Sequence, residues 1–186
     1  MTIKYFKTQQ AFRTWLEKNH DKKTEIWIGF YKKDSGKTGI TPAQAIDEAL
    51  CFGWIDGVRQ AIDELSYTNR YTPRTKKSKW SKINTENVER LIKLGYMTES
   101  GLKAIEEAKA DGRWDMAYDS PKNAKAPEDF LKALKKKKRA AEFFKTLNKQ
   151  NIFAIVYRLQ NSKKAETRER WINKIIQMLE NGEKFH

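Results

Sequence analysis

The sequence predicts an α+β fold: a small antiparallel sheet with packed helices, followed by a helical C-terminal domain. Three observations carry this reading. The segments that read as strands lie between Glu25 and Thr72, helical periodicity dominates from Asn84 onward, and a polar stretch from Asp119 to Pro127 interrupts the helical region. That stretch is bracketed by Pro121 and Pro127 and holds no apolar residue larger than alanine, so residues 120–127 read as a linker between a domain at 1–119 and a helical domain at 128–186.

Thr8 can cap a helix whose Ala11, Phe12, Trp15 and Leu16 fall on one face, ending at His20-Asp21. Glu25 to Lys33 is apolar on both parities, as a strand covered on both faces requires, and Asp34 to Gly39 turns the chain. Thr41 as N-cap, Pro42 at the first helical position and Gln44 three residues after the cap make a capping box for a helix reaching Cys51. Its stripe of Ala45, Ile46, Ala49 and Leu50 packs on the sheet. Gly53 and Gly57 bracket Trp54-Ile55-Asp56, after which Val58–Asp63 and Glu64–Thr72 read as two short strands. Helices follow from Asn84 to Gly95 and from Thr98 to Asp111-Gly112, each with a glycine C-cap. Beyond the linker, apolar residues at helical spacing mark Pro127–Leu134, Ala140–Leu147, Ile152–Leu159 and Ser162–Glu180.

Charge narrows the function. The formal net charge is +14, of which residues 120–186 carry +10, and Ser66–Asn84 holds six cations and no acid. Two basic regions therefore sit on an otherwise balanced body, and a partner of negative charge is expected. One cysteine, Cys51, and two histidines, His20 and His186, rule out a disulfide framework and a cysteine zinc site, so no metal or cofactor is expected. No phosphate-binding glycine loop and no HExxH motif occurs, and a serine triad would have to use His20 or His186. Neither a membrane span nor a secretory signal is visible, which makes the cytoplasm the expected compartment.

Three segments could carry chemistry. Cys51, between Leu50 and Phe52, reads as a small buried hydrophobe, since nothing nearby in sequence would stabilise a thiolate. Asp56, between Ile55 and Gly57, must be solvated, bonded to turn amides or paired with an arginine. From Arg70 to Asn84, guanidinium, ammonium, hydroxyl and aromatic groups interleave: Arg70, Arg74, Lys76, Lys77, Lys79, Trp80, Ser81 and Asn84. That mixture suits phosphates and bases, with Ser81 or Asn84 just before a helix N-terminus, though it also describes a solvated basic loop anchored by Trp80. The run Lys135–Arg139 reads as a wet helix face, and Arg113 as paired to an acid.

Gly29-Phe-Tyr-Lys-Lys33, Glu48 to Gly57, Arg70-Tyr-Thr-Pro-Arg74, Lys79 to Asn84 and Gly112-Arg-Trp114 resemble the signature of the YdeI/OmpD-associated family of bacteria. Asp129-Phe130, Ala133-Leu134, Thr167-Arg168 and Ile172 to Gly182 resemble the helical region of that family. The resemblance implies association with an outer-membrane porin and protection against bacteriocins or cationic antimicrobial peptides. It brings no catalytic residues, and it makes a periplasmic location the alternative to the cytoplasm. A chain of +14 would repel cationic peptides, so direct sequestration is disfavoured.

The first expectation is a non-catalytic stress-resistance protein in which Trp54, Asp56, Arg70, Arg74, Lys76, Lys79, Trp80, Ser81 and Asn84 line a site for an anionic ligand. That ligand is a small phosphate-bearing molecule or nucleic acid. The second is an enzyme with Asp56 as acid or base and Arg70 and Arg74 holding an anionic substrate. A cleft holding Asp56, Arg70 and Arg74 would favour the enzyme, and a flat exposed basic face the binding protein. A third is an interaction module whose aromatic residues are all structural.

Overall fold

The computed structural model describes residues 2–119 and 123–185. The start of the expected linker, 120–122, and His186 lie outside the described residues. The chain forms two compact units, Met1–Trp80 with Asn84–Ala117, and Ser81–Ile83 with Tyr118–His186.

The first unit holds β1 (Ile3–Lys4), α1 (Gln9–Asn19), β2 (Ile26–Tyr31), α2 (Pro42–Cys51), β3 (Trp54–Ala61) and β4 (Ser66–Pro73). After these come α3 (Lys82–Lys93), most of which belongs to this unit, and α4 (Glu99–Ala110). The two predicted caps form. Thr8 accepts the Ala11 amide at 3.2 Å. At α2, Thr41 Oγ1 accepts the Gln44 amide while Gln44 Oε1 accepts the Thr41 amide, and Pro42 occupies the first turn where its missing N–H is no loss.

The sheet has the order β1-β2-β4-β3. β2 and β3 each pair antiparallel with β4, as expected, but β1 lies parallel to β2, so the sheet is mixed. Two residues are too few for a periodicity to announce a strand, which is why β1 is illegible in the sequence. β3 also begins earlier than expected, at Trp54, and its register breaks between Asp56 and Arg59 in a bulge. Ile26, Ile28 and Phe30 are buried with Phe12 and Leu16 of α1, Ala45 and Ala49 of α2, and Tyr71.

α4 abuts the C-terminal end of α2. Thr98 Oγ1 and the Thr98 amide both donate to the Cys51 carbonyl, and Ser100 Oγ donates to the Phe52 carbonyl, so carbonyls left over at the end of one helix are satisfied by the start of the next. The backbones meet at Gly101, where a Cβ would overlap the Cys51 carbonyl group.

The second unit packs α5 (Glu128–Lys135), α6 (Lys138–Lys145), α7 (Lys149–Gln160) and α8 (Ala165–Glu180) around Phe130, Leu134, Ile155, Leu159, Ile175 and Leu179. α5 and α8 are joined by a fork: Arg168 donates from Nε to Asp129 Oδ2 at 2.6 Å and from Nη2 to Oδ1 at 3.0 Å, and Nη1 reaches the Leu159 carbonyl. Hydrogen bonds from Arg168 hold the Asp129 carboxyl below its ordinary range. A carboxylate with a depressed folded pKa contributes stability above the unfolded value of about 3.9, and that contribution is lost as pH falls through the folded pKa. Asp129→Asn is therefore expected to destabilise at pH 7, with a deficit relative to the parent that shrinks as the pH falls below about 3.9. Thermal melts at pH 7 and at a series of acid pH values check this, and a deficit that does not shrink on acidification would refute it.

Among the described residues no helix is long and apolar enough to cross a membrane, and no group of three or more His, Cys, Asp or Glu could hold a metal ion.

Candidate functional site

The basic segment leaves the sheet at Pro73, where the Arg74 amide donates to the Gly53 carbonyl at 2.8 Å. The loop that follows closes on itself: the Ser78 amide donates to the Thr75 carbonyl, the Thr75 amide to Ser78 Oγ, and the Lys77 amide to Thr75 Oγ1. Two guanidinium groups then grip it from inside. Arg74 lies over the Trp80 ring at 3.5 Å and donates from Nη1 to the Lys79 carbonyl at 3.2 Å. Arg113 donates from Nη1 to the carbonyls of Thr75 and Ser78, both at 3.2 Å, while its Nε bonds Asp111. Trp80 is only 1% exposed, with its ring centroid 4.9 Å from that of Trp114.

Three loop carbonyls are turned onto arginines, and Lys76, Lys77 and Lys79 are all exposed. A lysine ammonium on a flexible stem, held by a loop of fixed shape, is a point charge suited to a phosphate.

The other expected site residues separate. Asp56 stands opposite Tyr71 in the β3–β4 register, while Arg70 stands opposite Trp27. Adjacent residues of a strand face opposite sides, so Arg70 lies on the face of the sheet away from Asp56. There it pairs with Glu25, Nη2 to Oε2 at 2.6 Å, both side chains about two-fifths exposed. Asp56 does face Arg74, and with Trp54, Ile55, Asn84 and residues of α2 they line a crevice that holds no water-sized volume. Burial raises the Asp56 carboxyl above its usual value, opposed by its own backbone amide and by the Arg74 charge. Tyr71, wholly buried, is pushed well above the ordinary phenol value by burial and then by the Asp56 charge. Trp54 is 1% exposed, donates to the His20 carbonyl and meets Trp15 edge-on. Ser81 belongs to the second unit, in a parallel bridge with Tyr118. No single cleft among the described residues therefore contains Asp56, Arg70 and Arg74.

Cys51 is buried, and burial followed by the Glu48 charge pushes its thiol up to about 11, so it stays protonated at neutral pH. The groups that surround it are not legible in the sequence. Glu48, 6% exposed, accepts from Arg13 Nη1 at 2.9 Å and from Gln9 Nε2 at 2.6 Å. These line a cleft of about 490 Å³ with Asp47, Arg90 and Tyr96, in which each arginine is already matched by an acid. Arg113 is legible as an acid partner, but not as the clamp on a loop 35 and 38 residues earlier, because no local spacing reports a pairing of that range.

The family models divide the chain much as its two compact units do. A model described as a domain of unknown function (DUF8412) matches residues 4–104, just over half of the chain. The chain belongs to this family. The bacteriocin-protection, YdeI or OmpD-associated family matches residues 123–182, which is the helical unit. The YdeI/OmpD resemblance thus holds over that part, whereas the motifs from Gly29 to Asn84 fall within the DUF8412 match. No curated protein and no solved structure matches the chain.

Proposed function

We propose that this DUF8412 protein, with its bacteriocin-protection type helical unit, is a non-catalytic binding protein whose first unit touches the phosphate backbone of nucleic acid. The groups that do so are Lys76, Lys77 and Lys79, and the carrying observation is the loop that Arg74 and Arg113 pin from inside while its lysines stay exposed. Arg74, Trp80 and Arg113 act as positioning residues. An exposed surface suits an extended polyanion better than a small phosphate compound, which needs a concavity to enclose it. Nucleic acid as partner agrees with a cytoplasmic site of action.

The enzyme reading keeps one favourable observation, the raised proton affinity of Asp56 beside Arg74. Against it stands the lack of room for a substrate in their crevice. The pair is better read as a closed strut between β3 and the start of the loop.

The test is fluorescence anisotropy of a labelled duplex at ~50 and ~200 mM salt. The Lys76→Gln/Lys77→Gln/Lys79→Gln variant is expected to lower the slope of log affinity against log salt by about 2–3, roughly one counterion for each lysine that no longer neutralises a phosphate. Arg70→Ala is expected to change nothing, since Arg70 is already paired with Glu25. Unchanged binding by the triple variant would overturn the assignment.

A further inference from the structure

We infer that the helical unit carries a second nucleic-acid binding surface of its own, at the corner between α5 and α6. This rests on the reading of the chain as a polyanion binder and adds a second site to it. Five consecutive cations, Lys135 to Arg139, turn this corner, and all five are exposed. Among the described residues only Lys137 has a carboxylate within ion-pair distance, Glu180 at 3.4 Å. The net charge of +10 over residues 120–186 is thus at its most concentrated and least neutralised here.

Placement makes the concentration costly. Lys135 ends α5, where a cation is favoured by the helix dipole, but Lys138 and Arg139 occupy the first turn of α6, where a cation is disfavoured. That turn has no acidic residue, and Lys137 at its N-cap position offers no side-chain acceptor to the amides. Five like charges and a positive helix end at one corner repel one another, and an anion held there relieves all of them together. A run serving solubility alone would gain nothing from this position.

The neighbourhood selects the partner. No large hydrophobic side chain between residues 123 and 185 is exposed among those described, so the corner has no apolar wedge beside it to enter a bilayer. A phosphate backbone asks only for charge at repeated spacing.

The experiment compares three full-length proteins by duplex anisotropy over a salt series: the parent, the loop variant Lys76→Gln/Lys77→Gln/Lys79→Gln, and the corner variant Lys136→Gln/Lys138→Gln/Arg139→Gln. Circular dichroism checks that each is folded. Vesicles with and without anionic phospholipid form a second arm. The corner variant is expected to bind duplex about tenfold more weakly at ~50 mM salt, with a slope reduced by about 2–3. If the loop variant alone loses affinity, the second surface is refuted and the loop assignment stands. If the corner variant alone loses affinity, the loop assignment fails and the corner stands. A parent that does not bind duplex removes both. A corner variant that loses only vesicle binding overturns the choice of partner.

Discussion

Trp80→Ala is expected to destabilise the first unit by about 3–5 kcal/mol, the usual cost of truncating a buried tryptophan. The size follows from what the ring supports. Its faces and edges meet Arg74 and Trp114, so its removal leaves a cavity and takes away the surface on which Arg74 rests. The expected fall in Tm is roughly 10 °C or more. Trp80→Phe should cost far less than the change in ring area suggests. The buried Nε1 has no acceptor among the described residues, so phenylalanine keeps most of the stacking surface and removes an unsatisfied donor. Thermal melts of both variants, with the duplex titration repeated on Trp80→Phe, separate the two roles of the ring. If Trp80→Ala melts like the parent, the ring does not anchor the loop. If Trp80→Phe stays stable but loses duplex binding, the indole touches the ligand and is not a positioning residue.

The second large effect is one of reversed sign. In the interior of an exposed helix, glycine to alanine is worth about 1 kcal/mol of added stability. Gly101→Ala is expected instead to cost about 3 kcal/mol, because the new methyl has no space: the Cys51 carbonyl occupies it, and the Met97 side chain flanks it. Backbone is less able to give way than a flexible side chain, so the end of α2 and the start of α4 must separate. That separation breaks the bonds from Thr98 and Ser100 to the Cys51 and Phe52 carbonyls. Urea unfolding of Gly101→Ala reads the change in midpoint at constant slope. A neutral or stabilising result would mean that the two helix ends do not meet this closely.

Local features are legible in the residue order. The caps at Thr8 and Thr41 form as their sequence patterns indicate, and Gly95 and Gly112 take the positive φ of a glycine stop. These signals can be read because donor and acceptor lie three or four residues apart, within one turn of helix. The apolar stripes of α1, α2 and α8 are legible for the same reason, since period alone fixes which residues share a face.

Features that depend on residues far apart in the chain are not. Arg70 and Asp56 fall on opposite faces of the sheet because β4 pairs Arg70 with Trp27 and Tyr71 with Asp56, a register that depends on three strands at once. Arg74 and Trp80, which composition offers as ligand groups, instead stack on each other, and the remote Arg113 completes the clamp that turns the loop lysines outward. The α+β class, most helix boundaries and the two concentrations of positive charge thus follow from the order of residues alone. Which cations face solvent follows from the folded arrangement, because a guanidinium with a carbonyl or a ring to meet goes inward, while the strongly hydrated lysine ammonium groups stay exposed.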